Sequence, residues 1–429
     1  MNRAGGSRGR WTGKPVRVVA SGDAAINYKE ALAWLYSLQR FGIKLGLENI
    51  QKLIAELHVD LGNARVIHVA GTNGKGSVCA MIDSICRAQK YQTGLFISPH
   101  LVTFRERIRI NGEMISEKEV AAGLTNIRKL VADWEPHPTF FEIATALALK
   151  HFAQAKIDIV VLETGLGGRL DATNAVKSNV AVITPIAFDH EQWLGDSLKK
   201  IAAEKAGIIK AQITVVSGPQ SLESEKVIRA RAAECKALLQ IVTESYAKSP
   251  VGLRGEHQKL NAAIVVAAIR AAKIDIADSA IAGGLAAVEW PGRFQCWDKR
   301  VVIDGAHNPA AARALAQTWR QVFGNDRATL ILAILSDKDL RGICEALAPI
   351  ADSVFLPKIR SERAVEPTKL AKILTDLGCK SETFPSFAEA FGKARKQRDP
   401  ILITGSLHFA GEALAHLQRK PAAFEECAQ

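Results

Sequence analysis

The sequence predicts an α/β protein made of two successive units, and three observations carry that expectation. Short apolar runs alternate with helix-periodic segments, the pattern of a mainly parallel sheet. Polar or glycine-rich clusters follow the ends of these runs, where open parallel sheets collect their ligands. The alternation breaks at Trp290-Pro291-Gly292-Arg293 and then restarts. The 429-residue chain is also longer than the about 250–300 residues at which one core stops growing. The expected partition is a basic leader over 1–26, a larger unit over 27–292 and a smaller, Rossmann-like α/β unit over 293–429.

In chain order, helix periodicity covers Tyr28 to Phe41 and resumes from Leu47 to Leu57 after Gly42 and Gly46. Val66 to Ala70 reads as a strand, followed by a glycine-rich turn and a helix over Ser77 to Ala88. Thr93 to Ile97 is a strand ending at Ser98-Pro99-His100. A helix over 141–155 leads to a buried strand, Ile157 to Leu162, and a second glycine-rich turn. Strands at Val180 to Ile186 and Ile213 to Ser217 flank a helix over Ser197 to Ile209. Asn261 to Ala272 reads as an Ala-rich packing helix. Beyond residue 293 the strands are Arg300 to Ile303, Thr329 to Ile334, Ser353 to Leu356 and Pro400 to Ile403. Helices are expected around 309–322, 338–347, 366–376, 387–396 and 407–418.

Composition narrows the function classes. No apolar run of about 18 residues appears, so no membrane span is expected. The seven cysteines show no CxxC spacing, which argues against a disulfide framework or a structural zinc site and for reduced thiols in the cytoplasm. Net charge is +12, part of it in the Gly- and Arg-rich leader, which lacks the apolar region of a secretory signal. The remaining excess suits anionic ligands. Aromatics are 6%, and no basic stripe is interleaved with them, so nucleic acid is not an expected partner.

The strongest local signal is Gly71-Thr72-Asn73-Gly74-Lys75-Gly76-Ser77, placed between a strand and a helix. In that context backbone N–H groups and a helix N-terminus can cradle phosphates, and Lys75 can offset their charge. The loop departs from the usual P-loop spacing. Val69 stands where the first glycine belongs, and Gly76 separates Lys75 from Ser77. Glu163, at a strand end beside Gly165-Leu166-Gly167-Gly168, suits a hard cation held by oxygens and phosphate. Its alternative role is an ion pair with Arg169. Ser98 on its own reads as a cap before Pro99. Phe140 and Phe141 read either as a stacking surface for a flat ring or as core residues opening a helix. Lys205 on its own reads as a solvated helix lysine. Asn308-Pro309 reads as a helix start with Asn308 as N-cap. Ser406 has the look of a helix cap.

The loop resembles the Mur-ligase superfamily, in which ATP activates a carboxylate before an amine attacks it. In joint chain order the further motifs resemble the folylpolyglutamate synthase/dihydrofolate synthase family. These are SPHL from Ser98, ETGLGGRLDATN from Glu163, Asp189-His190, HQKLNA from His257, PGR ending at Arg293, DGAHNP from Asp304 and TGSL from Thr404. The resemblance runs from about residue 27 to 412. It implies a P-loop ATPase unit with a mainly parallel sheet and a smaller second unit. It also implies ATP and Mg2+ at two sites, with Asn73, Gly74, Lys75, Gly76, Ser77, Asn261, Arg293 and Asp304 on the nucleotide. Ser98, Glu163, His190 and Lys205 are implied as metal ligands, Lys205 as a carbamate. Lys75, His190, Lys205 and His307 would be catalytic, His307 handling the incoming glutamate. The pterin-bearing acceptor would meet Lys44, Leu45, Gly46 and Leu47, then Thr139, Phe140, Phe141 and Glu142, and then Leu170, Asp171 and Ala172. Ser406 would face glutamate.

The expected activity is ATP-dependent ligation of L-glutamate to dihydropteroate, to the γ-carboxylate of a folate, or to both. A cytoplasmic monomer is expected. The nearest rival is a muramyl-peptide ligase, although those usually carry a UDP-binding domain before the loop and only 70 residues precede Gly71. A nucleic-acid-stimulated ATPase is the rival from another class, suggested by net charge alone.

Overall fold

The computed structural model describes residues 26–42 and 46–425. The basic leader, except its last residue, and the expected acceptor contacts Lys44 and Leu45 lie outside the described residues. Among the described residues no helix is long and apolar enough to cross a membrane.

Two sheets organise the chain. The first holds β1 (Arg65–Ala70), β2 (Thr93–Phe96), β3 (Ile108–Ile110), β4 (Glu113–Met114), β5 (Ile159–Glu163), β6 (Val180–Ile183), β7 (Thr214–Ser217) and β8 (Leu238–Ile241). Their order is β4-β3-β2-β5-β1-β6-β7-β8. It is parallel except for β3 against β2 and β4. The second sheet holds β9 (Gln295–Cys296), β10 (Val301–Ile303), β11 (Ala328–Leu332), β12 (Ala351–Pro357), β13 (Ser381–Phe384) and β14 (Ile401–Thr404). Its order is β13-β12-β11-β14-β10-β9, with only β9 antiparallel.

Burial explains the sequence pattern. β5 and β6 are buried throughout and β1 is buried beyond Arg65, so they read as continuous apolar runs rather than alternating ones. One core packs the helices Lys75–Ala88 and Glu256–Ala271 on one face of the first sheet. A second, on the other face, gathers Tyr28–Ser37, Glu48–Glu56, Glu117–Leu130 and Phe140–Ala155. β1 lies between β5 and β6, so the loops that follow all three strands open at the same edge.

Several elements escape the sequence pattern. The helix Leu222–Glu234 buries only Ser224, Ile228 and Ala232, so its apolar stripe is too thin to read. β8 and β13 are edge strands without a buried run. The Tyr28–Phe41 stretch changes from α-helix to a 3-10 turn at Leu38 and stops at Gly42, where φ is +65°.

Candidate active site

The helix Lys75–Ala88 starts two residues earlier than the spacing predicts, and glycines make that start possible. Gly74 sits at φ +95°, and a Cβ there would meet Asn261 Oδ1 at 2.9 Å. At Gly71, φ +145°, a Cβ would strike Thr184 Oγ1 at 1.9 Å. The loop thus lies flat against its neighbours with the helix N-terminus facing outward, the geometry that favours anionic oxygens.

A cavity of about 320 Å3 opens over this loop. Its walls include Asn73, Gly74, Lys75, Gly76 and Ser77, then Ser98, Glu163, His190, Lys205 and Asn261, and, from across the cleft, Arg293, Asp304 and His307. The structure therefore gathers the predicted nucleotide and metal residues from both sheets into one site.

Lys75 Nζ donates to the carbonyls of Gly71 (3.2 Å) and Thr72 (3.3 Å). Lys205 Nζ donates to the same Gly71 carbonyl at 2.8 Å. Lys205 is 5% exposed, which overturns the solvated-helix reading. Burial, followed by the charge of Lys75, lowers its pKa to about 7. Arg169 pairs with Glu204 at 2.9 Å, so the alternative in which it holds Glu163 is also corrected.

Glu163 is buried, and burial raises its pKa against the pull of Lys75, the Ser98 amide and Arg293. Its Oε2 accepts from Ser98 N at 3.2 Å. Ser98 Oγ is buried beside it with no hydrogen-bond partner. A desolvated carboxylate next to an orphaned hydroxyl is a pair one cation short. Among the described residues no three His, Cys, Asp or Glu side chains converge as an ion cage. Mg2+ suits that sparse set, since it usually takes one or two protein oxygens and completes its shell with phosphate and water. The residues present fit such an ion. His190 has φ +53°, and burial brings its pKa down to about 4, leaving a neutral ring.

Across the cleft, Asp304 accepts from Phe294 N (2.7 Å) and Ala306 N (2.8 Å). Burial raises its pKa while Arg293 pulls it down. Gln258 Nε2 donates to Ser77 Oγ at 3.3 Å and is itself held by Asn261. Asn308 caps the helix Pro309–Phe323 through its bond from Ala311 N and also exchanges bonds with Asn73 at 3.0 and 3.2 Å. The N-cap reading of Asn308 holds.

Comparisons with known proteins agree with this geometry. Residues 69–217 match the Mur ligase middle domain, and residues 292–407 match the Mur ligase glutamate ligase domain. The dihydrofolate synthase/folylpolyglutamate synthase of Bacillus subtilis is 35% identical, over 91% of this chain and 99% of that protein. The chain belongs to the folylpolyglutamate synthase/dihydrofolate synthase family. Solved members superpose closely. E. coli FolC in complex with DHPP and ADP gives a TM-score of 0.82 at 34% identity, covering 91% of this chain and 98% of that one. The bifunctional enzyme of Yersinia pestis, complexed with AMPPNP and Mn ion, gives 0.84 at 32%, covering 93% and 100%. Against the rival readings, the relatives place the chain among ATP-dependent ligases of folate metabolism.

Among the described residues, the acceptor contacts that the family resemblance implies do not line this cavity. Thr139 and Glu142 form a capping box on the helix Phe140–Ala155. Phe140 is buried, stacked on Tyr36 at 5.5 Å. Phe141 is half-buried, and its ring lies where a Cβ on Gly165 would be, 2.5 Å away. Asp171 supports the glycine turn, accepting from Gly165 N and Leu166 N at 2.9 Å each. Ala172 is buried in the core that Leu47 also packs against, and Leu170 is half-buried. A Cβ on Gly46 would meet the Glu48 carboxylate at 2.5 Å. Ser406 Oγ accepts from Phe409 N at 3.0 Å as a helix cap, while its neighbour Leu407 lines the cleft.

Two functional candidates went unread. Asp189 Oδ1 accepts from Lys338 Nζ at 2.6 Å, and its Oδ2 lies 3.3 Å from His307 Nε2, so it ties the two sheets' loops together. Lys338 lies in Ser336-Asp337-Lys338-Asp339, shortly after β11. That is the kind of polar cluster at a strand end that exposed the other sites.

Proposed function

We propose that this chain joins L-glutamate to dihydropteroate, to the γ-carboxylate of a reduced folate, or to both, at the expense of ATP. The observation that carries the reading is the convergence of a lysine-bearing phosphate loop with the uncompensated Ser98–Glu163 pair, in a cleft closed by a glutamate ligase domain. In the first step an acceptor carboxylate oxygen attacks the γ-phosphorus of ATP, and ADP leaves. The glutamate amine then attacks the acyl-phosphate carbon, phosphate leaves, and the amine proton passes to solvent. Ser98 and Glu163 would hold one Mg2+, and His190 and Lys205 a second; the ions would neutralise charge on the phosphates. Lys75 and the loop amides orient the same oxygens. His307 and Arg293 bring the second unit's charge to the cleft, and the two units exclude water from the acyl-phosphate. The enzyme acts as a cytoplasmic monomer, with residues 27–292 and 293–429 as its two domains.

Lys205 acts as a carbamate. Its buried amine, with a pKa near 7, is about half neutral at pH 7 and can attack CO2, releasing a proton. The product is an anionic oxygen ligand where an ammonium would repel metal. Lys205→Ala should lose activity, and CO2-depleted buffer should slow the wild type. Full activity in both would overturn the carbamate.

Product analysis with ATP, Mg2+ and labelled glutamate tests the main reading. Dihydropteroate, tetrahydrofolate, a muramyl-peptide precursor and RNA serve as alternative additions. Glutamate incorporation into one or both pterins is expected. ATP turnover indifferent to both pterins, or stimulated by RNA without glutamate, would overturn it.

A further inference from the structure

The segment that follows Ser98 leaves the first sheet and enters the core of the second. Leu101 and Val102 are buried with Val301, Ile303, Phe409 and Ala410, which belong to the second sheet and its last helix. Contact there is close enough that a Cβ on Gly411 would meet the Leu101 carbonyl at 1.9 Å. Within the segment, the Glu106 carboxylate accepts from the amides of Leu101, Val102 and Thr103 at 2.8–3.0 Å, so the backbone is folded into one compact turn.

Glu425, beyond the chain's last helix, closes over the same turn. Its amide donates to Val102 O at 2.8 Å. Its carboxylate accepts from Phe104 N (2.6 Å), Thr103 Oγ1 (3.1 Å) and Tyr28 Oη (3.0 Å). Its carbonyl lies 3.0 Å from His100 Nε2. Arg107 Nε donates to His100 Nδ1 at 2.8 Å, which fixes the proton on Nε2 and makes His100 the donor to Glu425. Residue 425 therefore grips the turn from three sides and fastens it to the first helix, Tyr28–Ser37. Burial raises the carboxyl pKa, while the Phe104 amide and the Tyr28 and Thr103 hydroxyls lower it.

We propose that residues 99–104 are a mechanical link that sets Ser98 according to how the second unit is seated, with Glu425 as the positioning residue that straps the link down. With the strap docked, the Ser98 hydroxyl is held beside Glu163, facing the phosphates. With the strap released, the turn loosens and Ser98 loses its fixed place, although the glycine loop that binds the nucleotide is untouched. The link makes the grip on a magnesium–nucleotide pair depend on the second unit, whereas the grip on the bare nucleotide does not. This inference rests on the reading of Ser98 as a magnesium-facing residue.

The test uses the full chain without acceptor or glutamate, in two measurements. Hydrogen exchange reads the amides of Leu101–Phe104, and calorimetry gives ADP affinity with and without Mg2+. Glu425→Ala should speed exchange across the turn by roughly tenfold, as loss of a charged acceptor for buried donors implies. It should lower the Mg2+-dependent gain in ADP affinity about fivefold and leave Mg2+-free affinity unchanged within about twofold. Thr103→Val, which removes one donor to Glu425, should shift both readings in the same direction by less, and it carries the test if Glu425→Ala does not fold. Ser98→Ala separates the two layers of the argument. If Ser98→Ala lowers the Mg2+-dependent gain and neither strap variant does, the link is wrong and the magnesium reading stands. If Ser98→Ala changes nothing, the magnesium reading fails and the link with it. Equal losses of Mg2+-bound and Mg2+-free affinity in the strap variants would show Glu425 to be structural and overturn the proposal.

Discussion

Glu163 ends β5 and Asp189 follows β6, the two strands that flank β1, and they face the same cleft in opposite conditions. Glu163 is a carboxylate in deficit. Burial raises its pKa, and its carboxylate accepts a hydrogen bond from the Ser98 amide. Asp189 is saturated. Burial alone would raise it too, but the hydrogen bond and charge of His307, with the Lys338 ammonium, hold it far below the ordinary carboxylate range. A carboxylate matched by fixed partners belongs to the architecture, whereas one kept under-satisfied is reserved for something that arrives. The difference separates two kinds of residue within one site.

Variants on the phosphate side should show the largest effects on turnover. Lys75→Ala should cost about 10²–10³-fold in kcat, the scale of losing one group aimed at developing charge, with the melting temperature unchanged. Glu163→Gln should cost about 10²-fold and weaken the Mg2+ dependence of turnover more than acceptor KM. Its stability effect should run the other way. A carboxyl whose folded pKa is raised binds more protons when folded, so stability falls as pH rises from the unfolded value, about 4.3, toward the folded one. Glu163→Gln should remove that loss and melt no lower than wild type at pH 8. A folded Lys75→Ala enzyme with near-normal turnover would end the phosphate-loop assignment. A Glu163→Gln enzyme that melts earlier would erase the contrast with Asp189.

On the saturated side the order reverses. Asp189→Asn removes the nearer of two carboxylates on the buried Lys338 ammonium and leaves Asp337 at 3.2 Å, so the loss should stay below the about 3–5 kcal/mol that a fully unpaired buried charge costs. Turnover should fall by roughly tenfold through misplacement of the second unit. Replacing both partners, as in Asp189→Asn with Lys338→Met, should recover much of the stability. Because the folded pKa of Asp189 is depressed, its contribution is complete above the unfolded value, about 3.9, and is lost as pH falls below it. Acid melts of wild type and Asp189→Asn should therefore begin to draw together below about pH 3.9. Curves that stay parallel down to pH 3 would show that the charge is not what holds the cleft.

The same comparison shows what a sequence can disclose. Gly71–Ser77, Glu163, His190 and Asp304 were legible because each stands in a polar cluster shortly after an apolar run, and in a parallel sheet those places share one edge. Asp189 could be seen but not interpreted, because its partner Lys338 lies 149 positions away. Glu425 was invisible for the same reason, its contacts to Tyr28 spanning 397 positions. At Thr139-Phe140-Phe141-Glu142 the local signal carries two readings, a ligand surface and a helix start. The Thr-x-x-Glu spacing is a capping box, and the structure uses it as one. Two adjacent phenylalanines in a helix also point in different directions, about 100° apart, so one motif hides two environments.

That divergence yields the smallest prediction. Phe140 stacks on Tyr36, meets Phe104 edge-on at 6.2 Å and lies 5.2 Å from the Arg107 guanidinium. It has no surface to offer a ligand, so Phe140→Ala should destabilise by about 3–5 kcal/mol and leave acceptor KM nearly unchanged in the folded fraction. Phe141 is half-buried, packed at 5.7 Å on Phe96 and lying over Gly165, the first glycine of the turn after Glu163. Its ring has one packed face and one edge toward the glycine turn. An acceptor carboxylate directed at the phosphates has to pass near that turn. Phe141→Ala should therefore cost less stability than Phe140→Ala and raise acceptor KM by about three- to tenfold through lost aromatic contact, with ATP KM unchanged. Phe141→Leu should preserve the packing and still show the KM effect, which a packing role alone would not produce. Equal melting losses in Phe140→Ala and Phe141→Ala, with acceptor KM unmoved in both, would make the whole segment core and send the acceptor to another wall of the cleft.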